Sequence, residues 1–108
     1  MPAMGAPPAQ YVTTPDGYNI AYAVSGSGTP LLLTPPAFHH IQLAWELPSR
    51  REWLEGLSRR FRLVQFDHRG QGMSTRGLPE SFTIADYETD IETLVNHLQL
   101  EQFVLVGT

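Results

Sequence analysis

Neither cysteine nor lysine occurs anywhere in the 108 residues. The first absence excludes a disulfide framework, a thiol nucleophile and a thiolate-bound metal. The second excludes the Gly-Lys-Ser/Thr ending of a Walker-type phosphate loop. Charge is also scarce. Charged residues make up 17% of the chain, against roughly 25% in an average globular protein, which hints that further sequence or a partner covers part of the surface. No run approaches the ~18 consecutive apolar residues of a membrane span. The opening Met1 to Gln10, rich in Pro and Ala, has neither the positive nor the apolar region of a secretory signal. Residues 1–10 are expected to be a flexible lead-in, and residues 11–108 one cytoplasmic unit with no membrane partner.

What charge there is favours acid. The formal net charge is −4, and every basic side chain is an arginine. Arg50, Arg51, Arg59 and Arg60 cluster around one expected helix, with Arg62 in the strand after it, and they read as a solvated helix face. A nucleic-acid partner would require a basic excess over the whole domain, so none is expected.

The hydrophobic fraction, 42%, suffices for a core, and its patterning alternates between two periods. Tyr11 to Thr14 and Asn19 to Ser25 flank Pro15-Asp16-Gly17, a turn in which proline presets φ and glycine accepts the reversal, so the two pieces form a hairpin. Leu31-Leu32-Leu33 is too short for a helix and apolar on both faces, as in a strand inside a sheet. Ser49 with Glu52 has capping-box spacing, and Trp53, Leu54, Leu57 and Phe61 follow on one helical stripe. Leu63 to Phe66 is a further strand. Thr83 with Asp86 repeats the capping-box spacing before the stripe Tyr87, Ile91, Leu94, Val95, Leu98. Asp86, Glu88, Asp90 and Glu92 crowd the first half of that helix, where its dipole favours negative charge. Phe103 to Val106 is the last strand. Strands alternating with helices predict an α/β fold, a parallel sheet with helices on its faces. The final strand has no covering element in the sequence, so its apolar face is expected to be open to self-association.

Open α/β sheets bind ligands beyond the carboxyl ends of their strands. Three loops qualify: 34–45, 67–78, and Gly107-Thr108. In the second, Asp67-His68-Arg69-Gly70-Gln71-Gly72-Met73-Ser74 does not run straight into a helix, which argues against a dinucleotide cradle. Asp67 and Arg69 are placed to tie the loop by hydrogen bonds, while Gly70 and Gly72 permit tight turns. Ser74 with His68, His39, His40 and Asp67 includes the residue types of a triad, but Ser74 has no strained strand-to-helix turn and no evident base. His39-His40 lacks a third metal ligand. No metal and no cofactor are expected. His97 reads as a surface residue at a helix C-terminus, and Trp45 as core or pocket wall.

The spaced set Asp67-x-Arg69-Gly70-x-Gly72-x-Ser74 resembles the α/β-hydrolase family at every fixed position. The order of elements, from the Thr14-Pro15-Asp16-Gly17 hairpin to Leu105-Val106-Gly107, is similar to that family too. The resemblance implies an eight-stranded sheet of which residues 11–106 supply the first five strands. It implies that Gly107 and Thr108 begin the nucleophile elbow Gly-x-Ser-x-Gly, with serine, acid and histidine all beyond Thr108. On that expectation this chain is an N-terminal portion and is inactive alone, while its parent is a serine hydrolase of ester or related acyl substrates. Thr34-Pro35 stands where the family has His-Gly, and Pro36, which has no N–H, falls on the oxyanion-donor position. A shifted register would give that role to Ala37 or Phe38. The departure leaves a second reading open, a non-catalytic ligand-binding or sensor domain. His40 to Trp45 resembles hydrolase-like domains attached to bacterial regulators. Either way the partner expected is a small molecule.

Overall fold

The computed structural model describes residues 6–35, 40–79 and 81–107. Five strands form one mixed sheet in the order β1-β2-β4-β3-β5. The hairpin is β1 (Gln10–Thr13) and β2 (Asn19–Ser25), closed by a Thr14 N–H to Tyr18 O bond of 2.8 Å. β3 (Pro30–Leu33) and β4 (Arg62–Phe66) are parallel neighbours, with Leu32 opposite Val64. β5 (Val104–Val106) runs parallel along the other side of β3. Each parallel crossover carries one helix, as parallel pairing requires. α1 (Pro48–Arg60) joins β3 to β4, and α2 (Ile84–His97) joins β4 to β5.

The alternation of side chains across the pleat divides the core in two. Leu31, Leu33 and Leu63 face α1 and pack with Leu54 and Trp45. Leu32, Val64 and Phe66 face α2 and pack with Ile20, Tyr22 and Leu94. β3 is apolar on both faces because it is covered on both.

α1 departs from the expected start. Pro48 is its first residue and Leu47 its cap, with no side-chain bond at the terminus. Ser49 therefore lies within the first turn and caps nothing. Proline supplies a preset helical φ and lacks an N–H that would be unpaired there in any case. Trp53 is also off the buried stripe. It is exposed, while Leu54 and Ser58 are buried, since neighbouring helix positions are rotated by about 100°. Arg51 and Arg59 flank Glu55 at i,i+4 on the outer side, whereas Arg50 is partly buried.

α2 has its capping box as spaced. The Asp86 carboxylate accepts from the Thr83 N–H at 2.9 Å, and the reciprocal bond is present. Its other end is a Schellman motif: Leu100 N–H bonds Val95 O and Gln99 N–H bonds Asn96 O. Gln99 takes the left-handed conformation (φ 55°) that glycine usually fills. Gly26, also left-handed, abuts the carbonyl oxygens of Ser58 and Phe61 at the end of α1, leaving no room for a side chain. At the outer edge, Val104 and Leu105 of β5 are exposed. No helix is long and apolar enough to cross a membrane among the described residues.

Candidate active-site crevice at the strand ends

β3 sends one crossover to β4 over one face, and β4 sends the next past β3 to β5 over the other. Such a reversal of strand order opens a crevice beyond the carboxyl ends of the strands involved. Its edges here are Thr34 after β3 and Gly107 after β5. The Thr34 N–H and hydroxyl both donate to Val106 O, at 2.9 and 3.2 Å. A methyl group added at Gly107 would lie 3.7 Å from Thr34 Oγ1. Pro35 follows on the rim. Ala37 and Phe38, the oxyanion candidates, lie outside the described residues, as do Pro36, His39 and Thr108.

The loop after β4 is fastened from inside. Asp67, fully buried, accepts from the backbone N–H groups of Ile41 (3.1 Å) and Met73 (3.0 Å), which draws the loop after β3 against the loop after β4. Ser74 Oγ donates to Asp67 O at 2.5 Å and accepts from Ala21 N–H at 2.8 Å. This hydroxyl is 3% exposed and extends the pairing of β2, a structural duty rather than a nucleophile's. Gly70 (φ 81°) turns the chain under Leu78, whose side chain a Cβ would meet at 2.8 Å. Gly72 also has positive φ.

Arg69 is the largest of the fully buried side chains. Asp90 of α2 accepts from its backbone N–H (3.0 Å) and its Nε (2.9 Å), and lies 2.8 Å from its Nη2 as an ion pair. Asp16, in the hairpin turn, accepts from Nη1 at 2.6 Å. The guanidinium also sits 4.3 Å from the Tyr18 ring centroid. Burial by itself would depress the Arg69 pKa, but the hydrogen bonds to Asp16 and Asp90 outweigh it and raise the value. Those bonds, together with the Thr14 hydroxyl, hold the Asp16 carboxyl down at about 2. Asp90 is thus more than an acid favoured by a helix dipole. It is a buried counter-ion joining α2, the loop after β4 and the hairpin turn. Its position on the inward stripe, one residue before Ile91, was the available signal in the sequence.

The histidines have structural partners. His68, buried, stacks on Tyr87 with ring centroids 4.0 Å apart and meets Phe66 edge-on. His40 Nδ1 accepts from Gln42 and Leu43 N–H groups and so caps the 3-10 turn Leu43–Glu46. His97, at the surface, contacts the Tyr22 hydroxyl at 3.2 Å. Trp45 is core, its Nε1 donating to Gln65 Oε1 at 2.9 Å. Among the described residues no group of three or more His, Cys, Asp or Glu is placed to hold a metal ion. The described side chains therefore build the frame of a crevice at the strand ends.

Known proteins share this frame. Residues 31–108 match the family model of the alpha/beta hydrolase fold. A non-heme haloperoxidase of Rhodococcus erythropolis is 34% identical over 101 residues, covering 90% of this chain and 33% of that protein. A putative carbamate hydrolase, RutD, of a Caulobacter species is 43% identical over 54 residues, 50% of this chain and 20% of that one. The crystal structure of a hydrolase from Pseudomonas aeruginosa superimposes with a TM-score of 0.75 at 27% identity, covering 92% of this chain and 36% of its own. The chain spans a third or less of the length of these curated relatives. Frame, motif and matches agree: the chain belongs to the alpha/beta hydrolase fold family.

Proposed function

We propose that this chain is the N-terminal portion of a serine hydrolase acting on esters or related acyl substrates. The observation that carries the reading is the position of Gly107, directly after β5 and against Thr34 at the reversal of strand order. A serine on a sharp turn at that place would point its hydroxyl into the crevice, ready to attack a carbonyl lying over the strand ends. The part played by the present residues is then positional. Asp67 and Ser74 hold the two rim loops, Arg69 and Asp90 lock the sheet to α2, and Ala37 or Phe38 lends a backbone donor to the oxyanion. The serine, acid and histidine would follow Thr108, so the 108 residues alone should be inactive. No cofactor enters this reading, the partner is a small-molecule substrate, and the location is cytoplasmic. β5, with Val104 and Leu105 exposed, would mediate self-association of the isolated chain.

One observation favours a second reading. Pro35-Pro36 replaces a hydrogen-bond donor with residues that have none. Loss of one donor costs about 10²–10³ in rate, which suits a ligand-binding or sensor domain that does not turn over. Assay of p-nitrophenyl acetate separates the cases. Turnover by the protein containing the residues after Thr108, with none by residues 1–108, supports the hydrolase. Saturable binding without turnover by the longer protein supports the sensor. Turnover by residues 1–108 would overturn both.

A further inference from the structure

α1 carries a guanidinium for which the hydrolase frame has no use. Arg50 shares the sheet-facing stripe with the buried Leu54 and Ser58. Its Nη2 is shut off from solvent and has no hydrogen-bond partner among the described residues. Burial alone pushes its pKa below the ordinary arginine value. Glu55, on the same helix, is engaged by Arg51 and Arg59. One face of the guanidinium is taken by Trp53, 4.5 Å from its ring centroid.

The location follows from the packing. Ser58 Oγ lies 2.8 Å from Ser25 Oγ, and Ser25 pairs with Leu63, so Ser58 is level with the start of β4. Arg50 is a little over two helical turns nearer the N-terminus, about 12 Å along the axis. That is roughly four strand residues, which sets Arg50 level with Asp67 and the strand ends. Leu54, Leu57 and Phe61 pack with Leu31, Leu33 and Leu63, while Ser58 reaches Ser25 of β2, so α1 lies over β3 and β4. Arg50 is therefore on the carboxyl-end side of the sheet, where the crevice edged by Thr34 and Gly107 opens.

We propose that Arg50 is a carboxylate-binding residue of this crevice. A partly buried guanidinium whose Nη2 has lost solvent without gaining an acceptor is completed by an anion. With Trp53 occupying one face, the open approach is along the planar edge, which a carboxylate matches. The carboxylate belongs either to a small-molecule ligand or to an acidic side chain from sequence beyond Thr108. The inference rests on the reading above for the crevice and for sequence beyond Thr108, and its test needs no turnover.

The test is titration of residues 1–108 with succinate, read by tryptophan emission in a Trp45→Phe background so that Trp53 alone reports, because the guanidinium lies on the Trp53 ring. A saturable change is expected, with apparent affinity falling about tenfold in Arg50→Gln, the value of one charge-assisted hydrogen bond. Arg50→Gln should melt no lower than the parent, since it removes an uncompensated charge. The same response in Arg50→Gln, no response in the parent, or an equal response to inorganic phosphate would overturn the proposal. So would a markedly lower melting point for Arg50→Gln. The longer protein separates the two sources: response to succinate points to a ligand, and silence there, with response in residues 1–108, to an internal acid.

Discussion

Replacing Asp90 with alanine should cost this chain more stability than any other single loss of charge. The substitution deletes the acceptor for two Arg69 donors and the carboxylate 2.8 Å from Nη2, and strands a guanidinium that is 2% exposed. Breaking a buried pair from one side typically costs about 3–5 kcal/mol. Asp16 still holds one edge of Arg69, so the lower end, about 3 kcal/mol, is expected. With a urea slope of about 1–1.5 kcal/mol per molar for a chain of this size, the midpoint should fall by about 2 M. Asp16→Ala removes a partner whose side chain is 47% exposed, and after solvent screening it should cost below about 1 kcal/mol. The double variant Arg69→Met/Asp90→Leu should be more stable than Asp90→Ala, since it removes both charges and refills the space. Urea unfolding followed by far-UV circular dichroism measures all three. A midpoint for Asp90→Ala equal to or above that of Asp16→Ala would refute the reasoning.

Three other outcomes follow from local geometry. Gly26→Ala should destabilise by about 3 kcal/mol, combining left-handed strain with collision against two backbone carbonyls; a thermal melt checks it. Gln99→Gly should stabilise by about 0.5–1 kcal/mol by relieving φ 55° in the Schellman motif, and an unchanged or lower melting point would count against that assignment. Asp16, with its carboxyl lowered from 3.8 to about 2 by Arg69, contributes stability that is complete above pH about 4. That contribution fades as pH falls through about 2, so Asp16→Asn should flatten the acid limb of a stability–pH curve between those values.

Much of the frame was legible because it depends on local patterning. The Pro15-Asp16-Gly17 turn, the all-leucine β3 and the Thr83–Asp86 box each state a conformation within a few residues. The start of α1 is ambiguous in the sequence because Pro48 and Ser49 both signal a helix start, and the preset φ of proline prevails at the first position. Hydrophobicity alone puts Trp53 on the buried stripe, whereas the pitch of the helix leaves it exposed against Arg50. The Asp16–Arg69–Asp90 bridge was half legible. Arg69 was marked by its motif, but its partners are far away in the chain, and only the folded crossovers bring a turn, a loop and a helix together. The role of Ser74 was similarly hidden, since its partner Ala21 belongs to the hairpin.

Ser74 belongs to the frame, and on the reading proposed above the attacking group comes from the turn after β5. Labelling with a fluorophosphonate probe, followed by peptide mass spectrometry, tests it most directly. Residues 1–108 should take up no probe, and the protein including the residues after Thr108 should carry one adduct on the peptide that contains Gly107. An adduct on Ser74 in either form would contradict the account.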